Sequence, residues 1–167
     1  FRRLPGNEGS SYGAFRSSSD YQSRTKALYV AANDGMLHAF DSETGDELFA
    51  FMPGELLRPG PGKTHAQISS LIESDYDHRY FVDGTPTALD AYVDINGSSQ
   101  WRTILVGTMG AGGRSVFAID ITDPTAITEN SVLWEFSHPD LGYGVSNAEI
   151  ARLPNGEWAA VFGNGYN

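Results

Sequence analysis

The feature that most constrains the fold is a repeated pair of short apolar stretches joined by a glycine-containing turn. Two copies have both stretches and a third has the first: residues 28–32 with 37–41, residues 104–108 with 116–120, and residues 158–163. The first turn, Asn33-Asp34-Gly35, is a strong hairpin signal because it supplies residues that accept positive φ. Repeated hairpins of this kind, each followed by a further turn and an aromatic strand, are typical of β-propeller blades.

The repeat predicts an all-β fold, namely a partial β-propeller of antiparallel strands with one short helical insertion. The predicted segments are an irregular lead-in over 1–26, a three-stranded blade over 27–51, an insertion over 53–79, a four-stranded blade over 80–136 and a two-stranded partial blade over 148–162. Nine strands make about two and a half blades, whereas few propellers close with fewer than four. In the insertion, a short helix is predicted over 65–73 and a helical turn over 54–57.

Propeller sheets stack face to face, so the middle strands are expected to be buried on both faces. The continuous apolar runs at 28–32 and 104–106 fit this expectation. The aromatic side chains predicted to fill the space between neighbouring sheets are Phe49, Phe51, Trp134 and Phe136.

Charge and composition limit the partners. The 167 residues carry 11 Lys and Arg against 21 Asp and Glu, a net charge of −10. This balance argues against a nucleic-acid partner, which requires a basic surface. No apolar run approaches the length of a membrane span, so no membrane-spanning segment is expected. The chain begins at Phe1 with no basic and apolar leader, which suggests a processed or excised piece.

One weak candidate metal site lies in a predicted turn. Asp94-x-Asn96-Gly97 resembles the opening of a calcium loop, because hard cations prefer oxygen ligands. The residues that follow supply no further carboxylate, so a plain polar hairpin is the alternative. Asp94 and Asn96 are therefore the candidate ligands. Asp90 belongs to the same group of oxygen ligands, and a separate cluster of carboxylates lies at Glu73, Asp75, Asp77 and Asp83.

The remaining motifs indicate structure more than chemistry. Residues 110–113 resemble part of a phosphate loop, but a strand follows them instead of a helix, which favours a wide hairpin turn. None of the four histidines has metal-ligand spacing, and His38 is interpreted as a hydrogen-bonded core residue. There is no cysteine and no G-x-S-x-G nucleophile motif. No catalytic or cofactor-binding residue is identified, and the sequence predicts a protein that is not an enzyme.

Several phrases together resemble the PilY/PilC family of type IV pilus tip-associated adhesins and biogenesis factors. They are residues 28–41 with Thr44-Gly45, Tyr80-Phe81-Val82-Asp83-Gly84, Trp101-Arg102-Thr103, residues 110–114, Phe117-Ala118-Ile119-Asp120 with Thr122-Asp123-Pro124, and residues 161–167. The resemblance covers nearly all of residues 27–167 in the family's order.

The resemblance implies the N-terminal part of a C-terminal propeller in a large secreted protein of a Gram-negative bacterium. Such proteins act at the pilus tip and outer membrane surface, where they promote pilus assembly, surface attachment and twitching motility. The implied partners are minor pilins or other tip proteins and a host or abiotic surface. The family's calcium loop lies downstream of a Gly-Asn-Gly-Tyr-Asn stretch, so calcium is implied for the full-length protein, and no cofactor is expected in this segment.

Two other classes of protein share the blade pattern. A quinoprotein dehydrogenase propeller has compact and regular repeats, whereas here the spacing is 76 residues from Ala31 to Gly107 and 56 from Gly107 to Gly163. An outer-membrane assembly scaffold differs mainly in its partners. Both remain alternatives to a pilus-tip protein whose contact surface is predicted in the insertion, because long loops on a rigid scaffold carry binding sites.

Overall fold

The computed structural model describes residues 6–60, 62–95 and 97–166. Two short helices come first, α1 (Gly6–Ser17) and α2 (Ser19–Ser23). Nine strands follow in the described part of the chain: β1 (Ala27–Ala31), β2 (Leu37–Asp41), β3 (Glu47–Phe51), β4 (Thr87–Ile95), β5 (Ser98–Thr108), β6 (Ser115–Asp120), β7 (Val132–Ser137), β8 (Glu149–Arg152) and β9 (Trp158–Val161). Short 3-10 helices lie at Gly54–Leu57, Gln67–Ile72, Gly110–Gly112 and Glu129–Ser131.

The strands form three sheets in which every neighbour along the chain is also the neighbour in space. The sheets are β1-β2-β3, β4-β5-β6-β7 and β8-β9. All pairs are antiparallel. This up-and-down order is the arrangement of a propeller blade. The three, four and two strands agree with the number predicted from the repeat.

The core consists of two apolar clusters, one on each face of the four-stranded sheet. Alternating side chains of β5 and β6 divide between them because successive residues of a strand point to opposite faces. Leu105 and Phe117 belong to the first cluster, on the side of the three-stranded sheet, together with Leu37. Ile104 and Val116 belong to the second cluster, on the side of β8 and β9. The prediction that 104–106 is buried on both faces is confirmed.

The same prediction is wrong for residues 28–32. Strand β1 alternates between half-buried and exposed side chains, and Leu28 and Val30 are 58% and 41% exposed. In the described part of the chain no sheet covers the outward face of β1. Continuous apolar sequence therefore does not by itself mean burial on both faces.

The four aromatic side chains predicted between the sheets differ in how deeply they are buried. Phe49 and Phe51 pack on the first core cluster, and the Phe51 ring lies 4.9 Å from that of Phe117. Trp134 and Phe136 face the third sheet, where the Phe136 ring lies 6.2 Å from that of Phe162, but they are 39% and 44% exposed and fill this space only in part. The third sheet has two strands in the described part of the chain and covers less of this face.

Residues 6–23 contradict the predicted irregular lead-in, since they form α1 and α2. Their Ser- and Gly-rich sequence has no apolar periodicity that would indicate a helix. The helices form against a tertiary partner, because the Tyr12 ring lies 4.4 Å from that of Trp101 on β5. The part of this prediction that concerns residues 1–5 lies outside the described residues.

The helix predicted over 65–73 is shorter than expected and is a 3-10 helix at Gln67–Ile72. Three residues per turn place Ile68 and Leu71 on one side, and both pack on the first core cluster. Ile72, which an α-helix would add to that side, is 88% exposed. Residues 80–82, with which the predicted second blade begins, are not a strand, although Phe81 and Val82 are buried.

Candidate functional site

The insertion, residues 53–79, packs tightly on the propeller. Leu56 is fully buried in the first core cluster. Ile68 lies directly over the β1–β2 turn, where a Cβ on Gly35 would overlap its side chain. Gly35 also has φ +97°, which a residue with a side chain rarely adopts. The insertion is therefore held in place by the blade core below it.

Glu55 and Gly54 fasten the beginning of the insertion to the second blade. The backbone N–H of Arg114 donates to both carboxylate oxygens of Glu55, at 3.1 and 3.2 Å. Burial raises the pKa of Glu55, while the hydrogen bond from Arg114 acts in the opposite direction. The backbone N–H of Gly54 donates to Glu135 Oε2 on β7 at 2.7 Å.

Apolar side chains remain exposed along the outer side of the insertion and beside it. Leu57 is 61% exposed, Ile72 88% and Tyr80 53%. Large apolar side chains on a rigid support are typical of contact surfaces. We call these three residues the apolar rim.

A cleft of about 400 Å³ lies between the insertion and the Gly110–Gly112 turn. The polar side chains that line it, apart from tyrosines, are Lys63, His65, Gln67, Ser70, Glu73 and Arg79. Tyr80, Phe81 and Tyr143 line its other sides. The cleft thus combines cations, planar hydrogen-bonding groups and aromatic rings, the elements of a small-molecule site.

The charges in the cleft are only partly neutralised. His65 Nε2 lies 3.0 Å from Glu73 Oε1. Lys63 and Arg79, by contrast, make no side-chain hydrogen bond or ion pair with any residue that the structure describes. The arrangement leaves two cations available to a ligand.

The glycine-rich turn closes the floor of the cleft by close backbone packing. A Cβ on Gly112 would overlap the carbonyl oxygen of Phe81. Gly110 has φ +55°, and strand β6 follows the turn. The turn joins β5 to β6 as a wide hairpin, in agreement with the prediction, and lacks the helix that a phosphate loop requires.

Asp94, the candidate calcium ligand, lies at the end of the β4–β5 hairpin. Its Oδ1 accepts from the backbone N–H of Gly97 at 2.8 Å and its Oδ2 from the Ser99 hydroxyl at 3.2 Å. Asn96, the second candidate, lies outside the described residues. No group of three or more His, Asp or Glu side chains in the described ranges could hold a metal ion. The calcium site stays a prediction.

Asp90, which no sequence motif marks as functional, has a side chain that is only 8% exposed. Its Oδ2 accepts from the hydroxyls of Tyr12 and Tyr21 at 2.9 and 3.2 Å, and its Oδ1 from Thr103 Oγ1 at 2.6 Å. Arg16 Nη1 lies 3.7 Å from the carboxylate. The signal in the sequence was a carboxylate between two apolar residues of a strand, Leu89 and Ala91, because a carboxylate requires donors when buried.

His38 lies between two carboxylates rather than in the core. Its Nδ1 is 2.6 Å from Glu47 Oε1 and its Nε2 is 2.8 Å from Asp34 Oδ2. The side chain is hydrogen-bonded, as predicted, but is 16% exposed. The hydrogen bond to Glu47 raises the pKa of His38 above its usual 6.5.

Comparisons with known proteins agree on one family. The profile of the PilY1 beta-propeller domain matches residues 4–167. A type IV pilus biogenesis factor PilY1 homolog of Xylella fastidiosa is 43% identical over 98% of this chain, and the type IV pilus biogenesis factor PilY1 of Pseudomonas aeruginosa (strain UCBPP-PA14) is 42% identical over 93%. The crystal structure of the Pseudomonas aeruginosa PilY1 C-terminal domain matches with a TM-score of 0.64 and 40% identity over 93% of this chain. These matches confirm the predicted resemblance and the all-β partial propeller.

The chain corresponds to a small part of each of these proteins. It spans 10% and 12% of the two curated relatives and 27% of the crystallised chain. No helix in the described part of the chain is long and apolar enough to cross a membrane.

Proposed function

Because this chain belongs to the PilY1 beta-propeller domain family, we propose that it acts, as part of a longer protein, in type IV pilus biogenesis and in attachment at the pilus tip. The observation that carries the proposal is the family match over residues 4–167. Relatives named as pilus biogenesis factors, at 43% and 42% identity, support it. The names of these relatives favour a non-enzymatic role in pilus biogenesis over the alternative of a quinoprotein dehydrogenase.

The proposed mechanism is contact through a rigid surface. The blade core and the bonds of Glu55 and Gly54 hold the insertion, so the backbone that carries the apolar rim is already ordered before binding, which lowers the entropic cost of contact. The proposed partners are minor pilins or other tip proteins, together with a host or abiotic surface. The proposed location is extracellular, at the pilus tip and outer membrane surface, and twitching motility is the proposed readout of pilus function.

The test changes the apolar rim in the full-length protein within a piliated bacterium that carries it. Leu57→Asp with Ile72→Asp removes exposed apolar area without touching the buried Leu56. We expect fewer pili, slower twitching and weaker capture of minor pilins, at an unchanged amount of the protein. Asn130→Asp, at an exposed position outside the insertion, is the control for added charge.

One result would contradict the proposed role, and another would contradict the proposed contact surface. Normal piliation, twitching and attachment after removal of the whole gene would refute the role in pilus biogenesis and attachment. Reduced function in the gene deletion but normal function in the rim variant would keep the role and place the contact surface elsewhere.

A further inference from the structure

We propose that the cleft between the insertion and the Gly110–Gly112 turn binds a sugar acid, meaning a saccharide unit whose ring carries a carboxylate. The inference deepens the proposed function and rests on it for its biological role, because it names a chemistry that an attached surface would display. The binding itself can be measured independently of pili.

The carboxylate of the ligand is inferred from the unpaired cations. The chain as a whole carries a charge of −10, yet Lys63 and Arg79 line the same cleft and neither side chain has a partner among the described residues. Elsewhere Arg16, Lys26 and Arg102 pair with carboxylates of the protein. A guanidinium and an ammonium left open in a cleft bind a carboxylate by charge-assisted hydrogen bonds.

The saccharide ring is inferred from the aromatic walls. Tyr80 is 53% exposed, and Tyr143 also lines the cleft, with one face of its ring against the Arg114 guanidinium at 4.6 Å. The negative face of an aromatic ring attracts the polarised C–H groups of a sugar. A purely ionic ligand would gain nothing from these rings.

Hydroxyl groups on the ligand are inferred from Gln67 and Glu73. The Gln67 amide nitrogen donates to the carbonyl of Glu55 at 3.2 Å, which leaves its oxygen as an acceptor. Glu73 shares Oε1 with His65 and retains acceptor capacity at its second oxygen. A Glu carboxylate in the cleft repels a phosphate dianion more strongly than a singly charged sugar carboxylate, and it accepts hydrogen bonds from sugar hydroxyls. The volume of about 400 Å³ is within the range of small-molecule sites.

The experiment measures binding by ligand-observed NMR with the purified chain and, in parallel, with the longer protein. The probes are D-glucuronic acid and N-acetylneuraminic acid as two sources of a sugar carboxylate, D-glucose as the neutral sugar and inorganic phosphate as the bare anion. We expect at least one sugar acid to bind about tenfold more tightly than glucose and phosphate, the gain of roughly one charge-assisted contact.

The variants locate the site. Arg79→Ala and Lys63→Ala should each weaken sugar-acid binding about tenfold, and Tyr80→Phe, which retains the ring, should bind better than Tyr80→Ala. Lys26→Ala removes an exposed cation that pairs with Glu43 outside the cleft, and should bind as the unchanged protein does. All four positions are exposed, and near-ultraviolet circular dichroism verifies that each variant is folded.

Several outcomes would overturn the inference. No binding of either sugar acid, equal binding of glucose, equal binding of phosphate, or loss of binding in Lys26→Ala would each do so. These binding results do not depend on the proposed function. The proposed function fails if bacteria that lack the gene still show normal piliation and attachment. Sugar-acid binding that survives such a result would retain the site and remove its role in attachment.

Discussion

His38 shows how one side chain joins three local elements. It is on β2, Asp34 is in the β1–β2 turn, and Glu47 begins β3. Both ring nitrogens face carboxylate oxygens, so the doubly protonated imidazolium satisfies both contacts and the neutral ring satisfies one as a donor. The Phe40 ring stacks 5.9 Å from the imidazole.

This geometry predicts a pH-dependent stability. The folded-state pKa of His38 is raised above 6.5, so its contribution is complete below about pH 6.5 and is lost as the pH rises through the folded-state value. His38→Gln should flatten the decline in urea midpoint over this interval. His78→Gln, whose imidazole is an exposed side chain outside this cluster, is the control. An identical pH profile for His38→Gln and the unchanged chain would refute the prediction.

At the scale of elements, α1 and α2 depend on the second sheet. Tyr12 and Tyr21 on the helices meet Asp90 on β4, and Trp101 Nε1 on β5 donates to Ser11 Oγ at 3.0 Å. Helices of this length and composition are not stable alone. Their sequence therefore could not predict them, because the stabilising contacts come from residues about 70 to 90 positions later.

Asp90→Ala should release these helices. The change leaves the hydroxyls of Tyr12, Tyr21 and Thr103 without their acceptor, at an expected cost of about 2–3 kcal/mol in the free energy of unfolding. Urea denaturation measures the cost, and faster amide exchange over residues 6–23 shows the release. Asp94→Ala on the same strand affects an exposed turn and should cost less than about 1 kcal/mol. Unchanged exchange over 6–23 in Asp90→Ala would contradict the prediction.

The contact between the first and second sheets depends on Phe51. Phe51→Ala should lower the free energy of unfolding by about 3 kcal/mol, because its ring packs on the fully buried Phe117. Phe136→Ala, a change of the same size at a side chain that is 44% exposed, should cost about 1 kcal/mol. Denaturant titration measures the free energy of unfolding of both variants. Equal decreases would show that the packing of Phe51 on Phe117 contributes no more than the half-exposed Phe136.

At the scale of the whole molecule, the faces at the two ends of the sheet series remain open. Leu28 and Val30 are exposed on β1, and Val161 on β9 is 51% exposed. Strand β9 also has one neighbour in its sheet, β8. Exposed edges and apolar faces of this kind promote association between chains.

These open faces predict that context stabilises the chain. Joined to the remainder of a longer family member's propeller, residues 27–161 should show slower amide exchange in β1 and β9 than in the isolated chain, because added sheets cover both faces. Strands β5 and β6, already buried on both faces, provide the internal reference. Equal protection of β1 and β9 in both proteins would mean that these faces stay open.

The sequence predicted the parts of the fold that depend on local chemistry. The Asn33-Asp34-Gly35 turn and the glycine-rich turn at 110–113 specify hairpins whatever surrounds them, and the strand count follows from them. The candidate site was predicted only as a region, the insertion. The cleft itself could not be predicted, because residues that line it, such as Arg79 and Tyr143, are far apart in the sequence.

What the sequence by itself determined is the repeated hairpin, the all-β class and the family. What only the tertiary structure decided is which apolar runs are buried, where the cations lie open and why 6–23 is helical. The physical reason is range: turn and strand preferences act between near neighbours, whereas burial at Leu28, Leu105 or Trp134 depends on whether another sheet lies opposite.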